Sequence, residues 1–506
     1  MFQYHFFAFV IFALMGFLMV SSLSDEALTF DELAHIAAGF GYVKEQDYRL
    51  NAEHPPLIKY LAAVSADLAV HPRFPIDTVP WQQETKNQWA QWDHGTIFLY
   101  QSGNDADAVI FWSRIPMIAL TLLLGILLFI WTARRFGEPV ALLTAALYAF
   151  SPTILAHGRY VTTDTGAALG FFIGVISYIS FLERRTRWYM FVAGVMFGIA
   201  QLLKFSLILL IPMYGIILFV WVWAHPNFST FRERLGIFFA YAAKTVCIGI
   251  IGIGVVWIAY AHVTARYPFD RNLRDATTLL STYRFRSHVN AVEFLIKHPI
   301  TRPLGQYLTG VLLANQRAAG GNTTYFLGTV SSTGSAAYFP LLYAVKEQLM
   351  LHLLTAAALV GWLFRIGHKN VVSLWHMRIR TWAITHLDVV GCFVVVGVYW
   401  TITLISPLNI GLRHVLPTFP FLYILTAYGA LQFFEIDRAG NPRVWKRQTP
   451  SSLFMFTIII MVGVIIRAYP FYLPYYNALG GGTENGYRIA VDSNYDWGQD
   501  LLRLRA

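Results

Sequence analysis

Runs of about 20 apolar residues recur along this chain, each long enough to cross a hydrocarbon core roughly 30 Å thick as a helix. About eleven can be counted, near residues 4 to 23, 109 to 131, 139 to 157, 165 to 182, 188 to 203, 206 to 223, 236 to 261, 340 to 364, 388 to 406, 415 to 434 and 452 to 469. In lipid every backbone N–H and C=O must be satisfied within its own segment, so runs like these are restricted to helices. Composition agrees. Only 13% of the 506 residues are charged, against about 25% in an ordinary globular chain. That is too few to cover a water-facing surface, which excludes a soluble enzyme, a disordered protein and a free-standing nucleic-acid binder. The expected class is an all-α polytopic membrane protein of about eleven transmembrane helices.

The formal net charge of +10 reads first as an orientation signal. Arg134-Arg135, Glu183 to Arg187, Arg232 to Arg234, the stretch from Arg365 to Arg380 and Arg438 to Arg447 fall on one face of the expected bundle. The positive-inside rule makes that face cytoplasmic. This holds if residues 188 to 223 form two spans with a tight turn at Lys204. The N-terminus is then inside and the C-terminus outside. No basic region precedes the first run, which is read as a retained span and not a cleaved signal. Cys247 and Cys392 both lie in apolar runs, so no disulfide framework or thiolate cluster is expected.

Three long polar segments share the outer face: residues 24 to 108, 262 to 339 and 470 to 506. A transmembrane domain over 1–470 and a short extracytoplasmic tail over 471–506 is the expected organisation. The first segment holds thirteen acidic residues, and any chemistry is expected on this side. Within it, Phe30 to Tyr42 and Pro56 to Val70 have helical spacing that suits two short helices on the membrane surface. Trp81, Trp89 and Trp92 suit an interfacial belt.

The candidate residues cluster in short motifs. Thr29-Phe30-Asp31-Glu32-Leu33-Ala34-His35 follows the first span, and the same segment returns with Asn51-Ala52-Glu53-His54-Pro55-Pro56. Adjacent carboxylates at a helix start are favoured by the helix dipole alone, but that does not explain the second acidic element with its rigid Pro-Pro. Asp31 and His35 share a helix face at i and i+4. A carboxylate general base is the functional reading. Arg159 and Asp164 mark the third motif, between spans, where charge is costly and commonly functional; a structural ion pair is the alternative. Arg413, in Gly411-Leu412-Arg413-His414, either snorkels or offers a planar guanidinium to a phosphate. Lys204 is the weakest of the set, since a lone Lys at a turn is commonly a snorkelling anchor.

The order of these motifs resembles the polyprenyl-phosphate-dependent type C glycosyltransferases. It is most similar to the dolichyl-phosphate-mannose protein mannosyltransferases and their bacterial relatives, which include aminoarabinose transferases acting on lipid A. Tyr338-Phe339-Pro340 and the tail Asp492-Ser493-Asn494-Tyr495-Asp496-Trp497-Gly498-Gln499-Asp500 are similar to bacterial members. The resemblance implies that Asp31 is the catalytic carboxylate with Glu32 beside it, and that Arg159 helps hold the donor phosphate. It also implies that Asp164 organises the outer mouth of the cavity. His54 stands where aminoarabinose transferases have Lys and protein mannosyltransferases have His. No segment looks like the β-trefoil insertion of eukaryotic protein mannosyltransferases. The chain stops at Ala506, where bacterial relatives commonly continue, so a short member or a fragment is expected.

The implied activity transfers a sugar, a hexose such as mannose, from a polyprenyl-phosphate donor to an acceptor hydroxyl on protein, lipid or glycan, with inversion. Asp31 and Glu32 with Asp164 form the expected catalytic set. Arg159, Arg413, Lys204 and His54 are expected on the donor phosphate, with Glu53 and His35 organising the loop or acceptor. A divalent metal is an open alternative, with Glu53, His54, His35 and His288 as donors, although no usual ligand spacing is present. Expected partners are the lipid-linked donor, the acceptor and membrane lipid, with no nucleic acid. The expected location is the bacterial inner membrane. A lipid-linked saccharide flippase or other transporter is the rival class, and would place its polar residues near the midplane in broken helices. A noncatalytic scaffold is a second rival and leaves the matched acidic and basic motifs unexplained.

Overall fold

The computed structural model describes residues 2–82, 89–228, 230–367, 375–434 and 451–505. The chain is a mainly helical integral membrane protein. Among the described residues, seven helices are long and apolar enough to cross a membrane: Gln3–Ser21, Ala106–Phe136, Asp164–Arg184, Phe205–Ala224, Phe231–Val263, Leu387–Ile405 and Leu412–Phe433. The other four expected runs are helical but shorter or broken, so eleven full crossings are not what the described residues present.

Each shortfall has a local cause. The run at 139 to 157 stops at Ala149 because Pro152 holds Ser151 extended. The Ser151 hydroxyl then accepts from the Ile154 N–H at 3.2 Å and starts a new helix, Pro152–His157. The run at 340 to 364 divides between helices Tyr338–Lys346 and Leu349–Gly367, with Glu347 extended. There the buried Lys346 ammonium donates to the carbonyls of Asn494 at 2.6 Å, Leu473 at 2.8 Å and Tyr475 at 3.1 Å. Helix Arg187–Gln201 spans only about 22 Å at 1.5 Å per residue. Of the last run, Met455–Ala468 is a short apolar helix. The turn expected at Lys204 is present, with Lys204 extended between Gln201 and the 3₁₀ segment Phe205–Leu209. Arg438 to Arg447 and the middle of the stretch from Arg365 to Arg380 lie outside the described residues.

The helix Asp164–Arg184 is central, with most of its side chains buried. By contrast Phe231–Val263 buries Tyr241, Ile248, Val256 and Tyr260 on one stripe and exposes Phe239, Val246, Ile250 and Ile258 on the other. That exposed stripe is what a lipid-facing helix presents. It packs against Arg187–Gln201 where Gly198 meets Gly252: a Cβ on Gly198 would lie 2.7 Å from the Gly252 carbonyl oxygen.

The helices that frame the site are labelled α1 (Phe2–Ser21), α2 (Phe30–Phe40), α3 (Leu57–Val70), α4 (Ala106–Phe136) and α5 (Asp164–Arg184). The expected helices α2 and α3 are present, and α2 is packed into the protein. Its residues from Ala34 to Phe40 are buried, and it meets α3 so closely that a Cβ on Gly39 would lie 2.2 Å from the Lys59 carbonyl oxygen. The Trp-rich stretch is also divided. Trp81 is buried with Arg49 stacked 4.3 Å from its ring, while Trp89 is exposed.

The structure brings the three polar segments together. Arg266 N–H donates to Gln46 O at 3.2 Å, Leu327 N–H to Ile489 O at 3.0 Å and Ala27 N–H to Gln499 O at 2.8 Å. One element departs from the all-α expectation: Thr324–Phe326 pairs antiparallel with Thr329–Ser331. The two-residue turn Leu327-Gly328 has positive φ at both positions, the geometry of a tight hairpin.

Candidate active site

α2 begins with a reciprocal cap. The Glu32 carboxylate accepts from the Thr29 N–H at 3.0 Å and from its hydroxyl at 2.9 Å. Arg114, about two turns into α4, adds a bidentate pair at 2.9 and 2.6 Å, and the Val161 N–H donates at 2.9 Å. Burial works to raise the Glu32 pKa, but the Arg114 guanidinium and the N–H groups of Thr29 and Val161 outweigh it and hold the carboxyl below the usual range. Glu32 is fully buried with all its acceptor capacity engaged. It ties α2, α4 and the 161 loop together, beside Asp31 on the same turn.

Asp31 points elsewhere. Its carboxylate, 26% exposed, accepts from Arg413 Nη1 at 2.8 Å. The same nitrogen lies 3.5 Å from Asp164 Oδ2, and Asp164 Oδ1 accepts from Lys204 Nζ at 2.5 Å. Four elements thus form one alternating chain: Asp31 on α2, Arg413 in the 3₁₀ segment Leu412–Thr418, Asp164 at the first turn of α5, and Lys204 at its turn. The helix dipole favours a carboxylate at the α5 start. Arg413 Nε and Asp164 Oδ2 are buried without a hydrogen-bond partner. Lys204, expected to be the weakest candidate, is an integral member.

His35 sits one turn along α2 from Asp31, with Nδ1 at 2.7 Å from the Val161 carbonyl oxygen. That contact assigns the proton to Nδ1 and leaves Nε2 as the acceptor. The His54 ring stands edge-on to it, centroids 5.0 Å apart. Burial, His35, Lys59 and Lys204 push the His54 imidazole well below its usual pKa, so it supplies a hydrogen bond and not a charge. Beside it, burial raises the Glu53 carboxyl, with Arg317 opposing and Asp31 adding to the shift. The loop is held by Lys59, whose buried ammonium donates to Tyr42 Oη at 2.8 Å, Asn51 O at 2.8 Å, Asn51 Oδ1 at 2.9 Å and His54 O at 2.7 Å.

Arg159 is not brought to this chain of charges. It is fully buried, donates to Ser22 Oγ and to Glu26 Oε1 at 2.7 Å, and lies 5.3 Å over the Tyr160 ring. Burial raises the Glu26 carboxyl against the pull of Arg159 and Arg114. The Arg159 guanidinium thus pairs with Glu26 away from Asp31, Arg413, Asp164 and Lys204, with its Nε buried without a hydrogen-bond partner. A metal fits poorly. Among the described residues no three His, Cys, Asp or Glu side chains converge, His35 Nδ1 is spent on a carbonyl, and His288 packs instead against Phe285.

Four residues of the site region carried no role in the sequence reading: Glu26, Lys59, Arg114 and Trp497. Arg114 was the most accessible, being a lone charge inside an apolar run. Lys59 likewise interrupts an apolar helix. Trp497 gave only a resemblance, yet its ring centre lies 4.1 Å from the Arg413 guanidinium carbon.

Residues 96–257 match the family model described as dolichyl-phosphate-mannose-protein mannosyltransferase, which bears out the resemblance over that third of the chain. No curated protein sequence matches. Among solved structures, the archaeal oligosaccharyltransferase AglB from Archaeoglobus fulgidus, in complex with an inhibitory peptide and a dolichol-phosphate, is similar at 12% identity and TM-score 0.46. The match covers 96% of this chain and 56% of that one, so the chain spans about half the length of AglB. ArnT from Cupriavidus metallidurans bound to undecaprenyl phosphate is similar at 14% identity and TM-score 0.34, covering 84% of this chain and 77% of that one.

Proposed function

We propose that this chain transfers a sugar from a polyprenyl-phosphate donor to an acceptor hydroxyl on the extracytoplasmic face, with inversion at the anomeric carbon. One observation carries the reading: a partly open carboxylate, Asp31, is held 2.8 Å from a guanidinium that belongs to a buried run of alternating charges. A base and a phosphate-binding cation are thereby adjacent.

In this mechanism Asp31 takes the proton from the acceptor hydroxyl as its oxygen attacks the anomeric carbon. The bond from that carbon to the phosphate oxygen breaks, and polyprenyl phosphate leaves with the electron pair. Negative charge grows on the phosphate oxygens, and the preset cations Arg413 and Lys204 stabilise that charge more than they stabilise the ground state. Asp164 holds both cations in place. His54 and His35, kept neutral by burial, offer hydrogen bonds to the sugar or acceptor, and Glu53 shapes the loop. The family description favours a hexose such as mannose; a protein, lipid or glycan is the acceptor class. The likeness to bacterial relatives and the basic short loops support a bacterial inner membrane.

The transporter reading draws on one feature, the helix break at Lys346 to Gln348 between two apolar helices. Lys346, however, is fully engaged by three carbonyls. Purified protein that releases sugar from polyprenyl-phosphate sugar without a gradient supports the enzyme. Asp31→Asn tests the assignment directly: the variant is expected to lose transfer in membranes supplied with lipid-linked sugar, and retained activity would sink it.

A further inference from the structure

The polar tail 491–500 runs across the candidate site and touches both ends of the Asp31–Arg413 pair. Trp497 is nearly enclosed, at 6% exposure, with its ring under Arg413 at 4.1 Å. Its backbone is fixed on both sides: its carbonyl accepts from the Phe30 N–H at 3.1 Å, next to Asp31, and its N–H donates to Gln499 Oε1 at 2.7 Å. Gln499 O in turn accepts from Ala27 N–H. At the other end, Asn494 Oδ1 accepts from the Leu412 N–H at 2.9 Å, the residue before Arg413. Lys346 holds the Asn494 carbonyl at 2.6 Å.

Arg413 needs such a support. Only its Nη1 makes an ion pair within the cluster, shared between two carboxylates, and its Nε is buried without a partner. Side-chain hydrogen bonds alone therefore leave the guanidinium free to turn about that one nitrogen. An aromatic face beneath it supplies both an electrostatic attraction and a plane that fixes its tilt.

We infer that Trp497 is a positioning residue of the proposed reaction, setting the plane of the Arg413 guanidinium for the donor phosphate, and that the tail is thereby part of the active site. This rests on the reading of Arg413 as the phosphate ligand. The tail acts as a strap: one stretch of backbone locates the base through Phe30 while its indole and Asn494 locate the cation.

The test uses the full chain in lipid nanodiscs, with radiolabelled undecaprenyl phosphate as probe and the variants W497L, W497F, R413K and the double W497L/R413K. Thermal unfolding is followed in parallel. W497L is expected to weaken binding about tenfold and W497F less than about threefold, because Phe keeps an aromatic face. The double variant is expected to bind no more weakly than R413K alone, since the indole acts through the guanidinium. The inference is overturned if W497L and W497F bind alike, or if the two substitutions add in full in the double variant. Equal loss of thermal stability in the two Trp variants, with binding lost only in W497L, supports it. Should W497L not accumulate, W497M carries the same comparison. If R413K binds the probe as tightly as the parent, the phosphate reading itself fails; if R413K weakens binding and W497L does not, only the positioning role fails.

Discussion

Asp31 and Glu32 are neighbours of the same chemical class on one turn of one helix, and their surroundings give them opposite parts. Glu32 is closed: five donor contacts from Thr29, Arg114 and Val161 consume its lone pairs. Asp31 is open: its one ion pair leaves about a quarter of the side chain accessible. The two arginines expected on the donor phosphate differ instead in their partners: both are buried with Nε unpartnered, but Arg159 pairs with the enclosed Glu26 and Arg413 with the partly open Asp31. A charge with every partner inside the protein stabilises structure, while a charge with capacity to spare is available to a substrate.

The largest expected effect breaks this comparison on the open side. Asp31→Asn removes the proposed base and is expected to slow transfer by about 10² to 10⁴, with thermal stability near that of the parent. Rates in membranes and unfolding midpoints in detergent check both halves. A large drop in stability with Asp31→Asn would place Asp31 in the same structural class as Glu32.

Second in size is the closed side. Glu32→Gln leaves the Arg114 guanidinium buried without its charge partner, and breaking such a pair costs about 3 to 5 kcal/mol. The expected outcome is a strongly lowered unfolding midpoint with activity per folded molecule largely kept. Arg114→Met is expected to behave alike, and loss of rate in either variant without loss of stability would reverse the two roles.

How far the sequence reveals this division follows from what each feature depends on. The spans were legible because lipid admits only runs of a minimum length and polarity, and every expected run is helical. Their breaks were less so, since Ser151-Pro152 is a local signal but the Lys346 break depends on carbonyls of Leu473, Tyr475 and Asn494, more than 120 residues away. The motif residues were legible as a set, because charges at the ends of apolar helices are rare. Which carboxylate is spent and which is free was not, because that depends on partners distant in sequence: Arg413 for Asp31, Arg114 and Val161 for Glu32.

A third test uses acid on the closed part of the first polar segment. His94 is buried between Phe74 and Trp81, with Nδ1 at 3.0 Å from the Thr78 hydroxyl. Burial, helped by Arg49, lowers its pKa from 6.5 to about 4. The unfolded chain thus binds a proton between those values that the folded chain refuses, so stability is full above about pH 6.5 and falls as pH drops toward 4. The loss amounts to about 3 kcal/mol across the window. Unfolding midpoints of the parent against His94→Gln, measured from pH 7 to 4, check this: the variant is expected to lose that part of the acid sensitivity. An unchanged slope would mean that His94 is protonated in the folded state.

The smallest effect isolates burial from charge. Arg135 and Glu183 join α4 to α5 through two hydrogen bonds, as geometrically complete as the Glu32–Arg114 pair, but about a third of each side chain is exposed. Water competes for both partners in the folded state and solvates either one left behind, so removing the carboxylate strands no charge in a dry interior. Glu183→Gln is therefore expected to cost no more than about 1 kcal/mol, and less as salt rises. Unfolding midpoints at low and high ionic strength, set beside those of Glu32→Gln, measure the contrast. Equal losses for the two variants would show that pairing geometry sets the dependence; the expected several-fold difference assigns it to the exclusion of water around Glu32.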